Sequence, residues 1–169
     1  PVIHVLEDLP TVETIDFSDN RLTDTSLMPL ALKLTKLESL TSLNLSDNKI
    51  DDSSQVIMDY LRDKKCKLKS LWLDAADVDD GECGNLAQAI LENESIEFLS
   101  LRNNLIGKDE LLNVVYPDLE TGGEALGEML CHNETITELD LSWNFIRLDS
   151  ACQFADSLLL NSTLVTLKL

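Results

Sequence analysis

The sequence predicts an α/β solenoid, a curved stack of repeats with a parallel β-sheet on the concave face and α-helices on the convex face. Three observations lead to this prediction. A phrase of alternating leucines returns at a fixed interval, an asparagine follows most of its copies, and each copy precedes a stretch with apolar residues at helical spacing. Because such a repeat buries its apolar face against its neighbours, the core should run between repeats rather than around one centre.

The recurring phrase is clearest at ITELDLSWNFI, which begins at Ile136. Related phrases begin at positions 12, 40, 68 and 96, and a truncated copy begins at position 164. Successive starts are therefore 28 residues apart, except for one interval of 40 residues before position 136. We predict a single solenoid domain over residues 1–169, built from 28-residue repeats with one insertion of 12 residues.

Each phrase predicts a short β-strand, because its leucines alternate with polar residues, as in Ser42-Leu43-Asn44-Leu45. An asparagine stands where the chain leaves the strand, at positions 20, 48, 104 and 144. Its amide can satisfy backbone groups that the turn leaves free, so stacked repeats should form an asparagine ladder. The third repeat has Ala76 at this position, and we expect the ladder to be broken there.

The second half of each repeat predicts an amphipathic helix. In the first, third and fifth repeats, apolar residues occupy equivalent offsets: Leu30, Ala31 and Leu34; Leu86, Ala87, Ile90 and Leu91; Phe154, Ala155, Leu158 and Leu159. The second repeat is shifted by a residue or two, with Val56, Ile57, Tyr60 and Leu61. Because helices are wider than the strand spacing of about 4.8 Å, the stack must curve into a horseshoe.

The phrases LTSLNLSDNKI, IEFLSLRNNLI and ITELDLSWNFI resemble the Leu-x-x-Leu-x-Leu-x-x-Asn-x-Ile segment of leucine-rich repeats. The 28-residue length with a full helix resembles the ribonuclease-inhibitor-like class of that family, and the resemblance covers essentially the whole chain. It implies the horseshoe fold. It does not imply one function, because the class includes ribonuclease inhibitor, sensor regions of nucleotide-binding immune receptors, the Ran GTPase activator, tropomodulin and ciliary repeat proteins.

Neither end of the chain has the polar cap that a solenoid terminus normally carries. Val2, Ile3 and Leu6 fall at the helical offsets of a preceding repeat, and the chain stops at Leu169 within a sixth strand. We therefore expect the natural protein to continue on at least one side.

The insertion of the fourth repeat is expected at about 107–122, within the stretch GKDELLNVVYPDLETG. Its apolar residues are too many for a purely solvated loop: Leu111, Leu112, Val114, Val115 and Tyr116. Two interpretations remain open, a lead-in to the helix that packs on its own repeat and a loop that contacts a partner.

The formal net charge is −18, from 31 acidic and 13 basic residues, which argues against nucleic acid or an anionic membrane as the partner. A protein partner of basic or mixed charge fits better; alternatively, the charge serves solubility alone. No apolar run approaches the roughly 20 residues of a membrane span, and the first residues carry no signal-peptide pattern.

The cysteines predict a reducing, cytoplasmic setting, because the four of them show no Cys-x-x-Cys spacing and no dense framework. Three sequences that begin at Asn93, Asn133 and Asn161 match the glycosylation acceptor pattern and would argue for secretion. All three precede a strand at the same point of the repeat. We therefore interpret these asparagines as turn residues.

The concave face offers the sharpest candidate site. Trp72 and Phe98 should point outward from adjacent strands as diagonal neighbours, with Arg102 on the same face and Trp143 at a strand exit one repeat further on. Aromatic residues and arginine are enriched in interface hot spots, and acidic residues would surround them here. The predicted partner-binding residues are Trp72, Asp74, Phe98, Arg102, Glu138, Asp140 and Trp143. Alternatively, the aromatic residues only pack on one another or on the insertion.

The sequence predicts no catalytic residue, no cofactor and no metal site. Only His4 and His132 could supply imidazole, and no phosphate-binding glycine loop occurs. The acidic run from Asp74 to Gly81 fails the EF-hand pattern, because Ala76 and Val78 stand where oxygen ligands belong.

We therefore predict a non-catalytic, intracellular module that binds a protein through its concave face, and we leave its oligomeric state open. One alternative is a GTPase-activating protein resembling the Ran activator, for which Arg102, Asn103 and Asn104 are the nearest polar candidates. Another is an architectural segment of a cytoskeletal or ciliary assembly.

Overall fold

Six strands alternate with helices in the computed structural model, which describes residues 11–22, 24–50, 54–108 and 121–169. The strands are β1 (Thr14–Asp16), β2 (Ser42–Asn44), β3 (Ser70–Trp72), β4 (Phe98–Ser100), β5 (Glu138–Asp140) and β6 (Thr166–Lys168). The helices are α1 (Asp24–Leu34), α2 (Ser54–Arg62), α3 (Asp80–Glu92), α4 (Gly122–His132) and α5 (Leu148–Leu160). The predicted α/β solenoid is confirmed: the strands form one parallel sheet in chain order, and a helix separates each pair of strands.

The sheet keeps the register that the repeat period predicts. Leu43 lies opposite Leu71, and Leu71 lies opposite Leu99, each 28 positions further along the chain. Leu99 then lies opposite Leu139, so the longer interval adds residues outside the sheet without shifting the register. These central leucines are buried between the sheet and the helices. The hydrophobic core is therefore continuous along the stack.

The asparagine ladder is present at the exits of the strands. Nδ2 of Asn104 donates to the carbonyl oxygens of Leu73 and Leu101 at 2.8 and 2.9 Å. Its Oδ1 accepts the backbone N–H groups of Ala76 and Val78 at 2.9 and 3.1 Å. Each such amide ties its own turn to the turn of the preceding repeat, because one side chain satisfies backbone groups from both.

The predicted break in the ladder is confirmed at Ala76, which is fully buried and has no side-chain amide to offer the preceding repeat. The backbone N–H of Ile50 instead donates to the carbonyl oxygen of Ala76 at 3.2 Å. Asn48 still joins the second repeat to the first, through its Nδ2 to the carbonyl oxygen of Phe17 at 2.9 Å. The interface between the second and third repeats thus lacks one of the side-chain links that its neighbours have.

A second set of asparagines, which the sequence analysis interprets as turn residues, links the ends of the helices. Nδ2 of Asn93 donates to the carbonyl oxygen of Leu61 at 2.7 Å, and Nδ2 of Asn161 donates to that of Leu130 at 2.8 Å. Asn133 makes the corresponding contact with Ile90 at 3.5 Å. Each Oδ1 also accepts backbone N–H groups two and three residues later. They are therefore turn residues that also connect neighbouring repeats.

The helical stripes differ from the prediction in a few positions. In α2, Ile57, Tyr60 and Leu61 are buried as expected, but Val56 is only half-buried and Met58 takes a core position. In α3, Leu91 is partly exposed. In α5, Ala155, Leu158 and Leu159 are exposed although Phe154 is buried, because α5 packs against α4 alone among the described helices.

Candidate functional site

An aromatic pair lies in the middle of the concave sheet. Trp72 ends β3 opposite Ser100, and Phe98 begins β4 opposite Ser70, so the two rings are diagonal neighbours. Their centroids are 4.9 Å apart, with an angle of 41° between the ring planes. Both side chains are half-buried. The pair therefore offers the sheet an apolar centre while part of each ring stays open to solvent.

Asp74 forms hydrogen bonds that connect the loops on either side of this pair. Its Oδ1 accepts the hydroxyl of Ser100 at 2.5 Å and the backbone N–H of Arg102 at 2.9 Å. Its own backbone N–H donates to Oγ of Ser46 at 3.1 Å. One residue of the third repeat thus joins the second repeat to the fourth, at the interface where Ala76 supplies no ladder amide.

The carboxylate of Asp74 replaces a local turn that other repeats make for themselves. Asp16, Asn44 and Asp140 each end a strand, and each accepts the backbone N–H of the residue two positions later. Trp72 and Ser100 stand at the equivalent positions of β3 and β4, and Ser100 has no carbonyl oxygen in its side chain. Here the backbone N–H of Arg102 donates to Asp74 of the neighbouring repeat, and the hydroxyl of Ser100 donates to the same carboxylate oxygen.

Two carboxyl groups on these strands have lowered pKa values. Hydrogen bonds from the hydroxyl and the backbone N–H of Ser18 lower the pKa of Asp16. Burial opposes the charged form of Asp140, but hydrogen bonds from Ser142 and the ammonium of Lys168 outweigh it, so the pKa of Asp140 is also lowered. Nζ of Lys168 lies 3.1 Å from Oδ2 of Asp140. Both groups are therefore negative at neutral pH.

Trp143 is the most exposed aromatic side chain of the site, with 74% of its surface open to solvent. Its backbone has a φ of 64°, in the left-handed region. The same position of the other four repeats is also left-handed, and it carries Asp19, Asp47, Ala75 and Asn103. Aspartate and asparagine tolerate this conformation, whereas a bulky side chain is strained there. Trp143 therefore has a strained backbone conformation, and its mostly exposed side chain gains little packing energy to offset that strain.

The predicted site residues divide into two groups. Trp72, Asp74, Arg102 and Trp143 line one groove of about 550 Å³, along the loops that follow the strands. Phe98 adjoins this groove through its contact with Trp72. Glu138 and Asp140 lie on β5 outside the lining, with Glu138 exposed and opposite Phe98 in the sheet register. The role of all seven residues in binding stays a prediction.

Sequence reasoning missed Asp47, which also lines the groove, and named Asn103, another lining residue, only for the GTPase-activating alternative. The signal was available, because Asp47 and Asn103 stand at the same repeat position as Trp143, which was predicted to bind.

Asp80 holds the two ends of the predicted insertion. Its Oδ1 accepts the backbone N–H groups of Gly107 and Gly122, both at 2.7 Å. Cys83, one turn later in α3, donates its thiol to the carbonyl oxygen of Gly122 at 3.5 Å. Burial, with the nearby charges of Asp80 and Asp79, raises the pKa of the Cys83 thiol well above its usual value, so the thiol remains a donor.

Gly122 fits against this arrangement because it has no side chain: a Cβ there would lie 2.7 Å from Cβ of Cys83. Residues 109–120, which hold most of the apolar side chains of the insertion, lie outside the described residues. Its two interpretations, a helix lead-in and a partner-contacting loop, therefore both stay predictions.

No group of three histidine, cysteine, aspartate or glutamate side chains in the described part of the chain could hold a metal ion. None of the described helices is both long and apolar enough to cross a membrane. His132 lies at the exposed end of α4, with Nδ1 3.2 Å from the carbonyl oxygen of Glu128, whereas His4 lies outside the described ranges. All four cysteines are free.

Comparisons with known proteins agree with this architecture. A family model described as Leucine Rich repeat matches residues 8–31, 36–54 and 132–148. The fold is similar to the C-terminal domain of tropomodulin from Caenorhabditis elegans, with a TM-score of 0.70 and 13% identity over 92% of this chain and 88% of that one. It is equally similar to Actin-Binding Site 2 of leiomodin-1, with a TM-score of 0.70 and 16% identity over 92% and 84% of the two chains. At these identities the two structures show a shared fold.

Proposed function

Given that this chain is a leucine-rich repeat protein, we propose that it is a non-catalytic module that binds another protein through its concave face and the adjoining loops. The contact would be centred on the aromatic patch, defined as Trp72, Phe98, Arg102 and Trp143. Trp72, Arg102 and Trp143 line one groove, and the ring of Phe98 packs against that of Trp72. Tryptophan and arginine are the residue types that most often dominate the energy of protein interfaces.

The main support for this proposal is that Trp143 combines a strained backbone with an exposed side chain. A left-handed conformation costs a bulky L-residue about 1–2 kcal/mol, and the exposed indole recovers little of that by packing within the chain. Strained backbone of this kind tends to occur where a side chain must be presented for function. We infer that a partner covers Trp143 and that burial in the complex offsets the strain.

The charges around the patch favour a partner of basic or mixed charge. The whole chain carries a net charge of −18, and Asp74, Glu138 and Asp140 lie beside or within the patch. Such a surface steers a cationic partner toward the site and repels polyanions. Arg102 adds one positive group, and within the described ranges its guanidinium has no carboxylate partner. It is therefore available for an acidic group of the partner.

A cytoplasmic location is part of the proposal. The amide side chains of Asn93 and Asn133 are buried and hydrogen-bonded to the preceding helix, so a glycan on either would disrupt its turn. Free thiols throughout the chain fit a reducing compartment equally well.

Actin is the first named partner to test, because the leiomodin-1 domain with this fold is called an actin-binding site. The structural similarity itself shows only a shared fold. A cytoskeletal role is thus the second candidate function, in which the same patch would contact actin.

The experiment compares two variants that each remove an exposed apolar side chain. Trp143→Asn removes the indole from the patch, and Leu159→Asn removes a side chain that is 84% exposed on helix α5. Binding is measured by co-sedimentation with filamentous actin and by quantitative affinity capture from cell lysate with mass spectrometry. If the patch binds, Trp143→Asn weakens retention of the specific partners about 30-fold, as expected for a hot spot, and Leu159→Asn leaves it unchanged. Equal retention by both variants would refute binding at the patch, whereas absence of actin binding in the wild type would exclude actin alone.

A further inference from the structure

The groove of the candidate site has two chemically different ends. Its lining follows the loops of successive repeats, so that Asp47 and Asp74 with the indole of Trp72 form one end, and Arg102 with Trp143 forms the other. Asp47 and Arg102 are two repeats apart, which corresponds to about 10 Å at the usual strand spacing. The indole at the acidic end, Trp72, is half-buried, whereas Trp143 at the other end is exposed.

The two carboxylates of the acidic end have hydrogen-bond acceptor oxygens without a partner among the described residues. Oδ1 of Asp74 accepts two hydrogen bonds, but Oδ2 has no hydrogen-bond or ion-pair partner among the described residues. The carboxylate of Asp47 is exposed and, within the same ranges, also has no partner. Two acceptor groups are thus directed to one groove with spare capacity for donors.

Local structure alone does not require these charges. The left-handed conformation of Asp47 accounts for a short polar side chain, yet Asn103 adopts the same conformation without a charge. The bridging role of Asp74 needs one acceptor oxygen, which an asparagine would also supply. The two negative charges are therefore not consumed by local structure and remain available to a cationic group.

We propose that the acidic end of the groove, formed by Asp47, Asp74 and Trp72, binds the guanidinium of an arginine side chain presented by the partner. This inference rests on the proposed function and names the chemistry that the same site recognises. A planar guanidinium can stack on the face of the indole while its N–H groups donate to both carboxylates. A lysine ammonium would satisfy the charge but would lose the stacking and the forked hydrogen bonds. Arg102 repels a guanidinium from the other end of the groove, which favours its placement at the acidic end.

The test uses the two tryptophans of the chain as reporters, since both line the groove. The intact chain is labelled with nitrogen-15, and the two indole N–H resonances are assigned from Trp72→Phe and Trp143→Phe. N-acetyl-arginine amide is then titrated at 0.15 M salt, with the neutral isostere N-acetyl-citrulline amide and with N-acetyl-lysine amide as comparisons. Asp47→Asn, Asp74→Asn and their combination are the test variants. Asp156→Asn, an exposed residue on α5, removes the same charge elsewhere.

The arginine amide is expected to shift the Trp72 resonance saturably, and the citrulline amide to leave it unmoved. The resonance of Trp143 should move less, although Trp143 is the more exposed indole and would respond more to non-specific contact. Each single Asp→Asn variant should raise the Kd about threefold and the double variant about tenfold, with no change in Asp156→Asn.

Three results would overturn the proposal: no saturable shift at Trp72, an equal Kd for the lysine amide, or an unchanged Kd in the double variant. The proposed function is tested separately through Trp143. If protein partners depend on Trp143 while arginine amide leaves Trp72 unmoved, the arginine site is wrong and the binding function stands. If neither measurement responds, both proposals are wrong.

Discussion

Removal of the amide of Asn104 tests how much the ladder contributes to stability. In Asn104→Ala, the backbone N–H groups of Ala76 and Val78 and the carbonyl oxygen of Leu73 lose the partner that Asn104 provides. All three groups belong to buried residues. The carbonyl oxygen of Leu101 keeps a second donor, so it is not counted. At about 1–3 kcal/mol for each unsatisfied buried group, with partial relaxation, the free energy of unfolding should fall by about 3–6 kcal/mol.

The matched control is Asn20→Ala, which changes the same position of the first repeat. Among the described residues, the side chain of Asn20 donates one exposed hydrogen bond, to the carbonyl oxygen of Ser18 at 2.8 Å, so a loss within about 0.5 kcal/mol is expected. Both variants are unfolded in urea and followed by far-ultraviolet circular dichroism, with the slope of the transition compared as well as its midpoint. A loss below about 1 kcal/mol in Asn104→Ala, or equal losses in both variants, would refute the reasoning. It would mean that the turn satisfies these groups without an amide, as the turn at Ala76 partly does for Ile50.

Three further predictions concern single residues. Trp143→Asn should exceed Trp143→Ala in free energy of unfolding by about 1 kcal/mol, because both lose the indole but asparagine tolerates the left-handed backbone better than alanine does; equal urea midpoints would show that this backbone preference does not affect stability here. Asp80→Ala should lower the free energy of unfolding in urea by about 2–4 kcal/mol, since it removes the acceptor of two 2.7 Å hydrogen bonds from Gly107 and Gly122. Asp80→Asn should lower it less, because asparagine keeps an acceptor oxygen. The reverse order would contradict this account. Because the pKa of Asp140 is lowered in the folded chain, its carboxylate stabilises the fold at pH values above the unfolded pKa of about 3.9, and this contribution is lost as the pH falls through the folded pKa. Asp140→Asn should therefore be less stable than the wild type at pH 6, and the difference in free energy of unfolding should shrink by pH 2. A difference that stays constant with pH would exclude the linkage.

The strands were predictable because their signal is local and repeated. Two apolar residues that alternate with polar ones identify each strand, and the constant period sets which residues pair, so Leu71 lies opposite Leu99 as the spacing requires. The diagonal contact of Trp72 with Phe98 follows from the same register. Exposure along the helices was less predictable, because Leu91 and Leu158 occupy core offsets but depend on what packs against their helix.

The electrostatic details of the site could not be derived from one repeat at a time. Asp74 accepts the turn N–H of Arg102 and the hydroxyl of Ser100 from the neighbouring repeat, which only the three-dimensional stacking reveals. Asp80 joins backbone groups 27 and 42 residues away, with no side-chain pattern to indicate it. The strain at Trp143 was readable in principle, because aspartate and asparagine fill its column in three of the other repeats.

The alanine at position 76 also determines where the solenoid should come apart first. Stability in a linear array is a sum over neighbouring units, so one interface with a missing link acts as a boundary between cooperative blocks. Helix α2, next to this boundary, spans nine residues, whereas α3 on the other side spans thirteen. Amide hydrogens of β1 and β2 should therefore exchange with solvent earlier than those of β3 and β4, and limited proteolysis should first release the part of the chain before the boundary. The patch that we propose for binding lies beyond it, on the block that stays folded longest.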